Sequence, residues 1–392
     1  MALALQARRQ IRRLGRRLRE ARVLAQAFRW PHRPVLAQII PTRRCNLSCA
    51  YCNEYDRVSG PVPLDELRRR IDRLAALGTG IITLSGGEPL LHPDVAAIVA
   101  HIRRRRAVAT LITNGYLLSP RLVTALNEAG LDSLQISIDN VVPDEVSKKS
   151  LQVLDAKLRL LARAALFDVT VNAVVGGPGG RPEDALTIAT RARELGFHST
   201  AGILHDDRGQ LVPLGARERQ ALRQIHELDR SAFSFDRYNR FQDVLATGAP
   251  YSWHCPAGGR YLYVCEDGLV HYCSQQRGYP AIPLERYGED DLVRQGSAPK
   301  PCAPGCTIGC VHRVAMVDDL RTRPAETLDG WFADAPGGMP APVRLLRRVL
   351  VTGPEAGLVR AAARLVTGRG RPLSGPSGGS RSGHSTRENA HP

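Results

Sequence analysis

The sequence predicts an α/β fold of parallel strands joined by helical crossovers, and three observations predict it. Short apolar runs alternate with amphipathic stretches from residue 36 to about 205. Alternation on this scale argues for parallel pairing through crossovers rather than for hairpins. The unit recurs six times, too few to close an eight-stranded barrel. Taken in order, the apolar strand segments are Val35–Ile40, Gly80–Leu84, Ala107–Ile112, Ser133–Ile138, Asp168–Val175 and Ser199–Leu204. The helical segments between them are Leu64–Ala76, Pro93–Arg103, Ser119–Glu128, Ser147–Ala165 and Pro182–Leu195. Residues 206–250 read as a polar helical connector, with Ala216–Leu228 its clearest helix.

The 392 residues leave room for a catalytic domain and an appended module. No apolar run reaches the length needed to span a bilayer, and no charged-then-apolar signal segment is apparent. Nine cysteines at metal-like spacings, without an export signal, read as reduced thiolates in a cytoplasmic protein, with the inner face of the membrane a further expected location. The net charge of +16 belongs to the ends: residues 1–44 carry +11, residues 343–392 carry +7, and the middle sums to about −2.

The densest chemical signal is Cys45-Asn-Leu-Ser-Cys49-Ala-Tyr51-Cys52, three soft thiolates in one short loop. Three thiolates hold three irons of a [4Fe–4S] cube and leave the fourth open to a small molecule. A structural zinc site or unrelated core thiols would use the same residues. Further along, Ser85-Gly86-Gly87-Glu88-Pro89, Thr113-Asn114-Gly115 and Ser137-Ile138-Asp139 each close an apolar run. Paired glycines let backbone approach closely because no Cβ intervenes. Asn, Ser and Asp at such ends also serve as caps and turn residues.

In these motifs and their order the chain resembles the radical S-adenosylmethionine (SAM) enzymes, whose signature is this cysteine triplet with an aromatic, here Tyr51, before the last cysteine. The resemblance implies an open (β/α)6 partial barrel with its site at the C-terminal ends of the strands. It implies that Cys45, Cys49 and Cys52 hold a [4Fe–4S] cluster whose free iron chelates SAM. It also implies that Gly86, Gly87, Glu88, Asn114, Ser137, Asp139 and Tyr51 contact SAM. In that family the reduced cluster cleaves SAM, and a 5′-deoxyadenosyl radical abstracts hydrogen from substrate. A flavodoxin or ferredoxin is the expected electron donor.

A second cysteine group comprises Cys255, Cys265, Cys273, Cys302, Cys306 and Cys310. The Cys255-x12-Gly268-x4-Cys273 stretch reads as a β-hairpin and resembles the opening of SPASM or twitch extensions, which bind auxiliary iron–sulfur clusters. A full SPASM extension has seven cysteines, whereas six occur here after residue 250. The expected auxiliary [4Fe–4S] cluster takes Cys255 and Cys273 with two of Cys302, Cys306 and Cys310. Cys265 suits a small buried hydrophobe, and a zinc knuckle is the alternative for the whole group. These readings divide the chain into a helix (1–34), a barrel core (35–205), the connector (206–250), an auxiliary module (251–315), a C-terminal segment with a basic helix (316–367) and a disordered Gly/Ser-rich tail (368–392).

Residues 3–28 form a basic amphipathic helix with Ile11, Leu14, Leu18, Leu24 and Phe28 among its apolar positions. Such a helix either lies on an anionic membrane or packs across the barrel bottom with its arginines solvated. Val343–Leu350 followed by Leu358–Val366 repeats the theme. Nucleic acid is an unlikely partner, since no RNA-binding module accompanies the arginines. The residues Asp144, Glu145, Lys148, Lys149, His205, Asp206, Asp207 and the segment Ser274-Gln275-Gln276-Arg277 are placed near the cavity mouth. The leading expectation is a radical SAM enzyme acting on an unactivated C–H bond, with the basic ends favouring a membrane-held lipid or isoprenoid. The alternatives are a peptide-modifying maturase, a tetrapyrrole or other small metabolite as substrate, and a non-catalytic metal-binding scaffold.

Overall fold

A computed structural model describes residues 2–176, 181–204, 211, 213–228, 240–333 and 338–351. The His205–Asp207 cluster, the Leu358–Val366 helix and the tail from 368 lie outside the described residues. The chain opens with α1 (Ala2–Arg29) and then alternates strand and helix. The order is β1 (Leu36–Ile39), α2 (Leu64–Ala76), β2 (Ile81–Leu84), α3 (Val95–Arg104), β3 (Val108–Thr113) and α4 (Pro120–Ala129). It continues with β4 (Ser133–Ile138), α5 (Leu151–Ala164), β5 (Asp168–Val175), α6 (Pro182–Glu194) and β6 (His198–Ile203). After α7 (Ala216–Leu228) and α8 (Arg240–Leu245) come β7 (Tyr261–Val264), β8 (Leu269–His271), β9 (Pro280–Pro283), α9 (Glu289–Ser297), α10 (Gly309–Thr322), α11 (Pro324–Phe332) and α12 (Ala341–Val351). The six expected strands are all present, with ends within one residue or so of the sequence reading.

Local chemistry fixes these elements. Ser119 accepts a hydrogen bond from Leu122 N at 3.2 Å, Pro120 opens α4, and Gly130 ends it in the left-handed region at φ 83°. Helix α2 buries Leu67, Ile71 and Leu74 on one face. Strands β1 to β6 are parallel throughout, each pairing with the next. The sheet does not close, as the partial-barrel expectation required.

The auxiliary region does not stand apart from the barrel. Its hairpin extends the same sheet to nine strands, with β7 pairing parallel to β1 and β8 and β9 following antiparallel. One core lies between sheet and outer helices, and holds Ile82, Leu84, Leu111, Leu134, Ile136 and Val171. A second joins Val23 and Ala27 of α1 to Leu36, Val108, Tyr261 and Tyr263, with Val311 and Val314 of α10. Most residues that alternate with the first core are polar, namely Thr83, Thr110, Gln135, Ser137, Thr170, Asn172 and Thr200, with Ile112 and Val174 among the apolar members of that face. In a strand successive side chains point to opposite faces, so these line the lumen. Two contacts tie them across strands, Thr83 to Thr110 at 2.6 Å and Thr200 to Asn172 at 3.0 Å.

Helix α1 packs across the bottom of the barrel. Several of its arginines are tied to the barrel there, whereas Arg8, Arg17 and Arg22 stay exposed. Arg9 donates to Ala165 O at 2.8 Å and Ala162 O at 2.7 Å, at the end of α5. Arg19 pairs with Asp132, and Arg13 and Arg16 pair with Asp168, at the starts of β4 and β5. Cations suit the carbonyl-rich ends of helices. Arg260 completes the anchor: it donates to Ala27 O, Trp30 O and Arg33 O at 2.8–2.9 Å and pairs with Asp318 of α10.

Candidate functional site

The three cysteines of the 45–52 loop follow β1 and converge at the C-terminal ends of the strands, where Cys45 senses the charges of Cys52 and Cys49 and Tyr51 those of Cys49 and Cys52. Ala50 N donates to Val146 O at 3.0 Å and Cys49 Sγ lies 3.5 Å from Ser147 Oγ, so the loop after β4 packs on the cysteines. Burial pushes the Cys45 thiol up to about 11 and raises Cys52 as well. Buried thiols resist ionisation until a cation compensates, which suits ligands of a metal cluster.

The glycine loop is held against this cysteine loop. Gly87 N donates to Thr42 O at 3.2 Å and Glu88 N to Arg44 O at 2.8 Å. A Cβ on Gly87 would meet the carbonyl oxygens of Arg43 and Arg44 at 2.2 and 2.3 Å, so here the glycines admit neighbouring backbone. Glu88 is fully buried. Its carboxylate accepts from Leu90 N at 2.9 Å, Thr113 Oγ1 at 2.7 Å and Asn114 N at 2.8 Å. Burial nonetheless keeps its carboxyl above the usual range. Its side chain therefore joins the glycine loop to the Thr113-Asn114-Gly115 turn, a positioning role beside the backbone contact that the loop was expected to make. Asn114 Nδ2 reaches Asn46 Oδ1 at 2.8 Å and Cys45 Sγ at 3.7 Å.

Tyr51, Asp139 and Lys149 form a buried cluster beside the cysteines. Tyr51 Oη donates to Asp139 Oδ2 at 2.5 Å, and Lys149 Nζ lies 3.1 Å from the same oxygen and donates to Tyr51 Oη. Burial opposes the Lys149 charge, but Asp139 and the neighbouring Cys49 outweigh it and hold the ammonium above its ordinary range. Burial, then the Asp139 charge, push the Tyr51 phenol far up. Lys149 is the functional residue sequence reasoning placed too loosely, as one polar group at the mouth. Four lysines in the whole chain, with the adjacent pair Lys148 and Lys149 in the loop after the Ser137-x-Asp139 strand end, was the available signal. Asp144 and Lys148 instead shape the loop: Asp144 accepts from Val146 N and Ser147 N, and Lys148 donates to Asp144 O.

These residues fit a SAM molecule. Asp139 Oδ1 is buried with no partner, and Ser137 opens on the lumen without one among the described residues. An ordered buried carboxylate oxygen left unpaired is costly and calls for a donor from a ligand. Beside them lies a cavity of about 420 Å³, lined by Tyr51, Asp139, Ser147, Val174, Arg181 and Asp184 among others.

In the second cysteine group, Cys255, Cys273, Cys302 and Cys306 sense one another electrostatically. Burial raises all four, Cys273 to about 12. Cys310 does not join them. It lies in the first turn of α10, where its sulfur accepts from Gln38 Nε2 at 3.8 Å and its charged neighbours are Arg313 and Glu54. Tetrahedral zinc with 2.3 Å bonds brings thiolates to about 3.8 Å of one another. Among the described residues the single His/Cys/acid group whose ligand atoms lie within 4.8 Å of one another is Cys265, Asp267 and His271. Neither cysteine set brings three thiols within 4.8 Å of one another among the described residues. Cys265 is buried but donates to Glu266 Oε2 at 2.8 Å, so it is more than a small hydrophobe. His271 Nδ1 accepts from Gly278 N at 3.0 Å, which leaves the proton on Nε2 and removes that nitrogen as a ligand. The two cysteine groups are joined by Asn53 Nδ2 to Gln275 Oε1 at 2.9 Å and by buried Glu54, which accepts from Tyr263 Oη at 2.7 Å.

An open parallel barrel with a three-thiol loop at the mouth and a four-thiol module on its edge strand defines an iron–sulfur enzyme class. Residues 39–205 match the family model of the Radical SAM superfamily, the segment that carries the three-cysteine loop and strands β2 to β6. Its expected cofactors, a [4Fe–4S] cluster and SAM, are those of the superfamily. A PqqA peptide cyclase of Gluconobacter oxydans is 32% identical over 200 residues, covering 49% of this chain and 53% of that protein. An AdoMet-dependent heme synthase of Methanosarcina barkeri is 41% identical over 101 residues, covering 25% of this chain and 29% of that protein. The chain thus spans about half the length of the first relative and less than a third of the second. Among solved structures, Streptococcus suis SuiB bound to precursor peptide SuiA shares the fold at TM-score 0.53 and 14% identity, over 69% of this chain and 68% of that one.

Proposed function

We propose that this enzyme reductively cleaves SAM at the Cys45/Cys49/Cys52 cluster and abstracts hydrogen from a polypeptide substrate. When bound, the reduced cluster supplies the electron that breaks the SAM carbon–sulfur bond. The observation that carries the reading is the converged cysteine trio beside the unpaired Asp139 Oδ1. In this reading Asp139 and Ser137 receive polar groups of SAM, Lys149 fixes Asp139 and supplies positive charge, and Glu88 holds the two loops in register. Cys255, Cys273, Cys302 and Cys306 hold an auxiliary [4Fe–4S] cluster.

Three points support a peptide over the expected lipid or isoprenoid. The relative matched over half this chain is a peptide cyclase, whereas the heme synthase matches a quarter. The lumen face carries mainly threonine, serine, asparagine and glutamine beside Ile112 and Val174, a mixture that suits amide groups better than a purely hydrocarbon chain. The basic amphipathic helix, the main argument for a lipid, packs at the opposite end of the barrel from the cysteines. Among the described residues no helix is long and apolar enough to cross a membrane.

Anaerobic protein reconstituted with iron and sulfide, given SAM and dithionite, is expected to form 5′-deoxyadenosine, and Cys49→Ala to form none. A well-loaded wild type that forms none supports the non-catalytic scaffold. Substrate class is read by adding peptide or lipid fractions from cells grown in heavy water. Deuterium is expected in 5′-deoxyadenosine with the peptide fraction, and label arriving from the lipid fraction alone overturns the peptide reading.

A further inference from the structure

The outward face of α1 has no role in the chemistry above. With Arg9, Arg13, Arg16 and Arg19 turned to the barrel, the residues left outside are Ala7, Ile11, Leu14, Leu18, Ala21 and Ala25, at alternating spacings of four and three. Ile11, Leu14 and Leu18 are 71%, 62% and 65% exposed. Three large apolar side chains in one unbroken stripe are an unusual surface for a soluble protein. Arg8 and Arg22 border the stripe on one side and Arg17 on the other, and these three make no hydrogen bond or ion pair among the described residues. Arg22 also lines a separate cavity of about 190 Å³ at the barrel bottom, together with Arg33, Arg105, Arg106, Gln26 and Trp30. That cavity is concave, strongly cationic and adjacent to the stripe.

From this arrangement we propose that α1 is a docking face for an anionic lipid bilayer. The apolar stripe enters the headgroup–acyl boundary, Arg8, Arg17 and Arg22 reach up to lipid phosphates, and the Arg22/Arg33/Arg106 cavity receives an anionic headgroup. Long basic side chains flanking an apolar helix face are suited to this boundary. A second copy of the chain is a poor occupant. A heptad seam pairs through opposite charges at its flanks, and here the flanking charges are arginines. The C-terminal segment 352–392 is a poor occupant for the same reason, with six arginines against two acids. This inference does not rest on the proposed substrate. Docking by α1 points the mouth of the barrel, at the C-terminal strand ends, away from the bilayer and into solution.

The test is co-sedimentation of the full chain with vesicles of phosphatidylcholine plus phosphatidylglycerol, and of phosphatidylcholine alone. Binding to the anionic vesicles that weakens with salt is expected, with little binding to the neutral ones. Ile11→Ser/Leu14→Ser/Leu18→Ser and Arg8→Gln/Arg17→Gln/Arg22→Gln should each lower partitioning on the order of a hundredfold. Both triples leave the barrel-facing arginines in place, and unchanged circular dichroism and iron loading certify their fold. Arg106→Gln should reduce the preference for anionic over neutral vesicles. The proposal is overturned if wild type stays in the supernatant at low salt, or if the serine triple binds like wild type. It is equally overturned if light scattering shows a dimer that the serine triple converts to monomer, or if the stripe binds vesicles only after residues 352–392 are deleted.

Discussion

Replacing Gly87 with alanine tests how the site is built. The new methyl would sit 2.2 Å from the Arg43 carbonyl oxygen and 2.3 Å from that of Arg44, about 1 Å closer than carbon and oxygen tolerate. Both obstacles are main chain, so no side chain can rotate aside. Relief requires the glycine loop to part from the cysteine loop, losing the Gly87–Thr42 and Glu88–Arg44 hydrogen bonds. Two such bonds at about 1 kcal/mol each, with an overpacking cost of about 1–3 kcal/mol, give a destabilisation of about 3–5 kcal/mol. At about 2 °C per kcal/mol for a chain of this size, the apparent Tm falls by about 6–10 °C. Because the displaced segment leads directly into Cys45, retained iron and 5′-deoxyadenosine formation should fall with it. Gly86→Ala provides the contrast. Its methyl meets Ile40 Cγ2 at 2.5 Å, a side-chain atom, so adding Ile40→Ala should recover part of the loss, though the Thr42 carbonyl oxygen at 2.9 Å and φ +115° leave strain. Differential scanning fluorimetry under argon and an iron assay read both variants. A Gly87→Ala protein that melts within about a degree of wild type and keeps its iron would refute the packing argument.

Lys149→Met removes the ammonium that faces Asp139 at 3.1 Å and leaves a buried carboxylate poorly compensated. The KM for SAM in the 5′-deoxyadenosine assay should rise on the order of tenfold, with partial recovery in Lys149→Arg; an unmoved KM would remove Lys149 from the SAM site. For the auxiliary module, Cys306→Ser should reduce iron from about eight to about four atoms per chain, while Cys310→Ser keeps the full complement, since its thiol lies apart from the other four. Equal iron loss in both variants would contradict that grouping. Glu20 supplies a pH test at the barrel bottom. Burial raises its carboxyl above the ordinary 4.5, although Arg16 pulls the other way. Its favourable share of stability is therefore complete below that value and lost as pH rises. Because the Glu20 side chain is still 47% exposed and paired with Arg16, screening keeps the effect small: Glu20→Gln should melt slightly above wild type at neutral pH, with the gap closing in acid, and a lower Tm at neutral pH would reverse the sign.

What was legible in the sequence was whatever has a local signature. Six strands and their crossovers announced themselves through apolar runs, and the cysteine triplet through spacing. The pairing of β7 with β1 joins segments some 220 residues apart and leaves no trace in either, so the auxiliary hairpin read as an appendage although it shares the barrel's sheet. The role of Glu88 was hidden for a related reason. A Gly-Gly-Glu-Pro run cannot reveal that Leu90, Thr113 and Asn114 will claim its carboxylate. Helix α1 shows the limit of amphipathic patterning most plainly. The periodicity separates two faces but not which one turns inward, and the expectation of solvated arginines failed for Arg9, Arg16 and Arg19, because Asp132, Asp168 and helix-end carbonyls wait at the barrel bottom.

Strand β1 lies in the middle of the sheet, hydrogen-bonded to β2 on one side and β7 on the other, and its end carries the triplet of thiols. Cutting the chain after the sixth strand would therefore strip a hydrophobic central ribbon of its neighbour and turn it into a naked, adhesive border. The catalytic half has no solvent-ready outline of its own. It must be inherited, expressed and engineered together with the segment that follows it.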